Sequence, residues 1–301
     1  MFIKRDERKI PEILMDPKDD RSRLLLSKRA HEFDGKLDIL CREGHVKQLK
    51  NLKLLSVYEN QLESLHGIGL LAKTPLEELN VGNNLIKQIP PEMGGLSKLT
   101  SLWLDDNHLD EFPVVLCSLT TLTELRLSGN QIPHIPQSIS VLKGLRTLSI
   151  DNNKLTEFPM GILDLLSLEH LWLRQNFIGE LPDNLDKLIN LVTLSVSSNE
   201  LYSLPACINS MSSLKFLYAN ANKISTVDED MCNALPFLEK LNLANNRVDT
   251  VPAAWVELWG PYNPEIGRLQ LEDEGEHGDK KTVMITLVGN KLASAADVVA
   301  A

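Results

Sequence analysis

The chain has 301 residues, 43% of them hydrophobic, and a formal net charge of −10 at pH 7 from 31 Lys and Arg against 41 Asp and Glu. It is too apolar to be disordered and too acidic for broad binding to a phosphate backbone, which needs clustered Lys and Arg. Four cysteines, Cys41, Cys117, Cys207 and Cys232, form no CxxC pair, which argues against a zinc knuckle or a dense disulfide framework.

The N-terminus, MFIKRDERKIPEIL, carries charges where a signal peptide would be apolar. No apolar run approaches the roughly 18 residues of a bilayer-spanning helix. No Asn-x-Ser/Thr acceptor occurs. These features lead to the expectation of a soluble, cytoplasmic protein.

Residues 1–45 precede the repetitive part of the chain and read as an N-terminal cap, because stacked repeats need a polar end. Asp16-Pro17 is a helix-start signal, and Leu24, Leu25, Leu26, Ala30 and Phe33 supply an inner face. Lys36–Cys41 reads as an edge strand on the first repeat. The alternative is that the segment is a partner-binding arm.

Residues 46–259 are periodic. The frame Leu99-x-x-Leu102-x-Leu104-x-x-Asn107-x-Leu109-x-x-Phe112-Pro113 recurs at Leu122, Leu145, Leu168, Leu191 and Leu214, each 23 residues on. It extends to Leu76 and Leu52 upstream and to Leu238 downstream, giving nine repeats. Asn60, Asn84, Asn107, Asn130, Asn153, Asn176, Asn199, Asn222 and Asn246 mark the same phase. Within each unit Leu-x-Leu alternates with period two, as a half-buried strand does. A single unit cannot bury that face, whereas stacked neighbours can. An Asn amide has both donors and acceptors for backbone groups at the turn out of each strand. The Pro positions, 90, 113, 136, 159, 182, 205 and 252, open a segment with apolar residues three apart, which is short helical or 3-10 spacing.

Residues 260–281 break the period. They hold Pro261, Pro264 and the acidic run Glu272–Asp279, and read as a flexible acidic insertion, with docking of a basic partner as the alternative. Trp255 and Trp259, just before it, read as closing the apolar core. Residues 282–301 hold a degenerate terminal repeat centred on Ile285, Leu287 and Asn290, then an Ala-rich tail.

The repeat frame is similar to the leucine-rich repeat. Its period and its LPxxIxxL segment resemble the intracellular Ras-group subclass of plant and animal signalling scaffolds. That resemblance implies an α/β solenoid, a leucine-rich repeat horseshoe. A parallel concave β-sheet would face a short helical or 3-10 convex wall, behind a helical N-terminal cap.

Strand residues between the leucines would then project from the concave face. Tyr58, Trp103, Arg126, His170, Trp172, Arg174, Phe216 and Tyr218 fall there, although the core needs none of them. The frame puts Trp103 and Trp172 three strands apart, about 14 Å at the usual strand spacing. Exposed Trp, Tyr and Arg are the types that dominate binding energy at protein interfaces, so this strip is the candidate partner site. The bland alternative is that aromatic rings simply suit a sheet surface.

Chemistry is hard to find. No phosphate-binding loop, nucleophile elbow or HExxH motif occurs. His170 with Asp151 reads as a surface ion pair. Asp105-Asp106 reads as turn chemistry, and no metal or cofactor is expected. The expected function is a non-enzymatic interaction module or scaffold in intracellular signalling. The resemblance implies a small GTPase or a phosphatase subunit as the partner. An activator or regulatory subunit acting on such a partner, and a structural subunit of a larger assembly, stay open beside it.

Overall fold

The computed structural model describes residues 8–16, 20–260, 262–269 and 283–292. The chain divides into two compact units, Met1–Asn153 and Lys154–Ala301.

In the first unit, strands β1 (Arg23–Leu25), β2 (Leu54–Ser56), β3 (Glu78–Asn80), β4 (Ser101–Trp103), β5 (Glu124–Arg126) and β6 (Thr147–Ser149) lie side by side in chain order, all parallel. The register puts Leu55, Leu79, Leu102, Leu125 and Leu148 in one row. Each of these is fully buried. In-phase leucines every 23 residues therefore become a continuous apolar seam once strands pair at about 4.8 Å. Opposite the sheet, short 3-10 helices span Pro91–Gly95, Val114–Ser118 and Gln137–Val141, each directly after a proline whose extended backbone sets the turn.

The N-terminal end differs from the sequence expectation. Helix α1 (Ile10–Leu14) ends before Asp16, and Pro17 lies outside the described residues. Leu24 and Leu26 are buried on either side of half-buried Leu25, so the segment alternates with period two and pairs as strand β1. The edge strand is thus Arg23–Leu25 and not Lys36–Cys41. The latter segment is turns, with a single bridge from Lys36 to Ser64, and it buries Leu37 and Leu40. Helices α2 (Ala30–Phe33) and α3 (Glu43–Gln48) complete the end.

In the second unit, β7 (His170–Trp172), β8 (Thr193–Ser195), β9 (Phe216–Tyr218) and β10 (Lys240–Asn242) continue the parallel pattern. Short 3-10 helices again follow Pro159 and Pro205, and α5 (Ala253–Trp259) follows Pro252, whereas α4 (Met231–Ala234) starts after Asp230 with no proline before it. Trp255 is fully buried and its indole N–H donates to the Asp228 carbonyl at 3.1 Å. The side chain of Trp259 lies outside the described residues.

Residues 262–269, read from the sequence as part of the flexible acidic insertion, are paired in the sheet. Strands β11 (Tyr262–Asn263) and β12 (Arg268–Leu269) form an antiparallel hairpin, and β12 pairs with β13 (Met284–Thr286), which joins β10 in parallel. Tyr262 and Leu269 are buried, and the hairpin covers the β13 edge, leaving the two-residue strand β11 as the last of the sheet. The acidic run Glu272–Asp279 lies outside the described residues.

Asn107, Asn130, Asn153, Asn199, Asn222 and Asn246 repeat one set of bonds. Asn130 accepts from the Leu109 N–H at 3.0 Å and donates to the carbonyls of Leu104, at 3.0 Å, and Leu127, at 3.0 Å. The pattern is carried into the terminal repeat by Asn290, which accepts from Val248 N–H at 2.9 Å and donates to the Leu243 carbonyl at 2.8 Å. The residue just before each of the nine regular ladder asparagines has a left-handed φ. Glu59, Asn83, Asp106, Gly129 and Asn152 do so in the first unit; Gln175, Ser198, Ala221 and Asn245 do so in the second. Left-handed backbone is unfavourable for most side chains. Here the asparagine bonds hold it.

Candidate functional site

On the first unit, the residues between the buried leucines form the open face of the sheet. Trp103 and Arg126 are direct register partners on β4 and β5. The Arg126 guanidinium lies 5.7 Å from the centre of the Trp103 ring and bonds Glu124 at 2.6 Å. This cation–π contact and ion pair hold a long side chain in one orientation, with roughly half of it exposed. The indole nitrogen of Trp103 is buried without a hydrogen-bond partner. Asp105 follows Trp103 and accepts from the Ser128 N–H at 2.8 Å. Burial pushes its carboxyl up to about 6, against the opposing pull of the Ser128 bond and the Arg126 charge. Asp106, its neighbour, is a left-handed turn residue. Tyr58 stands further along the face, and its hydroxyl accepts from the Asn83 amide at 3.4 Å.

On the second unit, His170 and Trp172 project from the same face of β7, their rings stacked at 5.5 Å between centroids and 20° between planes. The His170 ring bonds the Thr193 hydroxyl through Nδ1 at 3.0 Å. Arg174, two residues beyond Trp172, is exposed. Phe216 and Tyr218 project from β9, and the Lys240 ammonium lies 5.2 Å from the centre of the Tyr218 ring.

The sequence-derived candidates therefore fall into two groups, Tyr58, Trp103 and Arg126 on one unit, and His170, Trp172, Arg174, Phe216 and Tyr218 on the other. All eight are at least partly accessible. Two further residues belong beside them. Asp105 and Lys240 stand in the same rows, but a lone charge in a column of mixed residues carries no signal. Only the packing shows that one is desolvated and that the other has aromatic company.

Among the described residues, no group of three or more His, Cys, Asp or Glu side chains is placed to hold a metal ion. Burial, helped by Asp38, pushes the Cys41 thiol up to about 12, so it stays protonated and is a poor nucleophile. No helix among the described residues is long and apolar enough to cross a membrane. An open depression of about 960 Å³ on the first unit is lined by Lys28, His31, Asp34, Glu59 and Glu63 among others, a mixture of charge signs.

The model of the family described as "Leucine rich repeat" matches residues 74–132 and 120–178. No curated protein matches the chain in sequence. Among solved structures, a leucine-rich repeat protein of Leptospira interrogans is 26% identical with a TM-score of 0.78, over 97% of this chain and 78% of that one. An internalin of Listeria monocytogenes is 20% identical with a TM-score of 0.66, over 84% of this chain and 66% of that one. This second match concerns the fold alone. The ectodomain of the plant membrane receptor kinase GASSHO1/SCHENGEN3 from Arabidopsis thaliana, in complex with Casparian strip integrity factor 2, is 27% identical with a TM-score of 0.58. That match covers 72% of this chain and 30% of the receptor chain. Repeat frame, asparagine ladder and family match together show that the chain is built of leucine-rich repeats. Its fold is a leucine-rich repeat solenoid.

Proposed function

We propose that this protein is a non-enzymatic interaction module that receives a protein partner on the open face of its repeat sheet. One observation carries the reading. On the second unit, Trp172, Phe216 and Tyr218 stand in rows that the leucine core leaves unused, with His170 stacked on Trp172 and Arg174 beside it. Rigid aromatic rings and arginines on a preformed sheet give large contact area with little side-chain ordering on binding. The Arabidopsis receptor ectodomain in complex with another molecule supports use of a repeat surface for binding, as an analogy at the level of fold.

The test is capture of partner from native extract by the immobilised full chain and by the double variant Trp172→Ala, Arg174→Ala. Loss of the captured species with an unchanged melting curve is the expected result. Undiminished capture contradicts the reading.

The finer reading is a cytoplasmic signalling scaffold of the Ras-group type, acting with or on a small GTPase or a phosphatase. It is supported by the 23-residue period and the proline position. Its test is GTP hydrolysis by a panel of small GTPases with and without the protein, together with binding of phosphatase subunits.

A further inference from the structure

The open face of the second unit is short of carboxylates. On strands β7–β10 and β13, the residues that alternate with the buried leucine row include Arg174 and Lys240 and no Asp or Glu. In a chain with 41 acidic and 31 basic residues, this is a local reversal of sign. The corresponding rows of strands β3–β6 hold Glu78, Asp105, Glu124 and Asp151 against Arg126. The reversal therefore belongs to this face and not to the repeat frame.

Lys240 is the centre of it. Its register partners are Phe216 on one side and Met284 on the other, and Met284 is 41% exposed. The Tyr218 ring lies under its ammonium at 5.2 Å. Its sequence neighbour Glu239 is held by Lys215 at 3.1 Å. A partner that covers this spot removes water from an ammonium with apolar neighbours. The lower local dielectric then strengthens attraction to a carboxylate. Flanking ring faces offer packing for the partner's apolar side chains.

We infer that the open face of the second unit takes an extended acidic peptide segment, one carboxylate meeting Lys240 while neighbouring apolar or aromatic side chains pack on Phe216, Tyr218 and Trp172. The inference rests on the interaction reading above and adds the chemistry of the partner. The same charge count disfavours a basic segment.

Two fluorescein-labelled peptides test it on the full chain by anisotropy: one alternates Glu with Tyr, and the other has Lys in place of each Glu. The acidic probe binds, and its affinity falls as salt is raised. Lys240→Glu weakens it by about tenfold or more, since the attraction is replaced by repulsion. Lys240→Met, which keeps the apolar stem, weakens it less. Melting curves of both variants match the parent chain. The inference is overturned by failure of the acidic probe to bind, by equal affinity for the lysine probe, or by unchanged affinity in Lys240→Glu. Each of those results leaves the interaction reading intact as long as capture of the native partner still depends on Trp172 and Arg174.

Discussion

The side-chain oxygen of Asn107 accepts a hydrogen bond from the backbone N–H of Ile86, one repeat upstream, at 3.1 Å. Its amide nitrogen donates to the carbonyls of Val81, at 3.1 Å, and Leu104, at 3.1 Å. Those carbonyls have other donors, Asn84 for Val81 and Asn130 for Leu104. Among these bonds, the Ile86 N–H is the group that a truncation at Asn107 orphans. Asn107→Ala is expected to cost about 1–3 kcal/mol, the penalty of a buried unsatisfied donor, measured by denaturant unfolding. Asn107→Asp keeps the acceptor but turns a buried carboxylate toward carbonyl oxygens. It is expected to destabilise more than Ala at neutral pH and to recover on acidification.

Asp105 makes stability depend on pH. Burial holds its folded-state value at about 6, above the 3.8 of the free carboxyl. A group raised in this way contributes stability that is fully present below about pH 4 and is lost as pH rises through about 6. Asp105→Asn keeps the oxygen that accepts from Ser128 and removes the charge. The variant is expected to be more stable than the parent above pH 6, by on the order of 2 kcal/mol, with the difference vanishing toward pH 4. Thermal melts across that range decide it. A constant difference contradicts the account.

Ala221 occupies a left-handed position at φ +56. Its methyl group is a liability there, and glycine has none. Ala221→Gly is expected to stabilise the chain by about 0.5–1 kcal/mol. The same change at Ala219, fully buried at the end of the leucine row, is expected to destabilise it. Paired chemical denaturation curves separate the two.

Gly267 closes the terminal hairpin at φ +64, and a Cβ there would lie 2.5 Å from Val288 Cβ. Gly267→Ala is expected to cost about 1–3 kcal/mol by overpacking and backbone strain. Gly44 in helix α3 has nothing within 4 Å of its missing Cβ. Gly44→Ala is expected to stabilise by up to about 1 kcal/mol. Melting temperatures moving in opposite directions are the predicted outcome.

The repeats were legible because one chemical requirement recurs in phase. Leu102 and Asn107 have counterparts at every step, and nothing but a stack explains both together. The ends were less legible, because each is built once. Leu24-Leu25-Leu26 is apolar at three successive positions and fits a helix face or a strand equally, and only pairing with β2 decides it. Tyr262 and Leu269 lie in polar surroundings in the sequence, and their pairing as a hairpin depends on the edge that β13 presents. The left-handed turn was visible only in part. Asn83, Asn152 and Asn245 double the ladder asparagine, but Gln175 and Ala221 at the same phase hide the rule. At the candidate site, Trp172 was legible as an aromatic the core does not need. Lys240 was not, because its meaning comes from Tyr218 and Met284 on neighbouring strands.

The central claim is that the open sheet face, and not the helical side, meets the partner. Hydroxyl-radical footprinting of the captured complex tests it most directly, since Trp, Tyr, Phe and Met side chains report on both sides of the molecule. The account predicts protection of Trp172, Phe216 and Tyr218, with oxidation of exposed Met160 on the opposite side unchanged. Protection of Met160 together with unaltered oxidation of Trp172 and Tyr218 would contradict it.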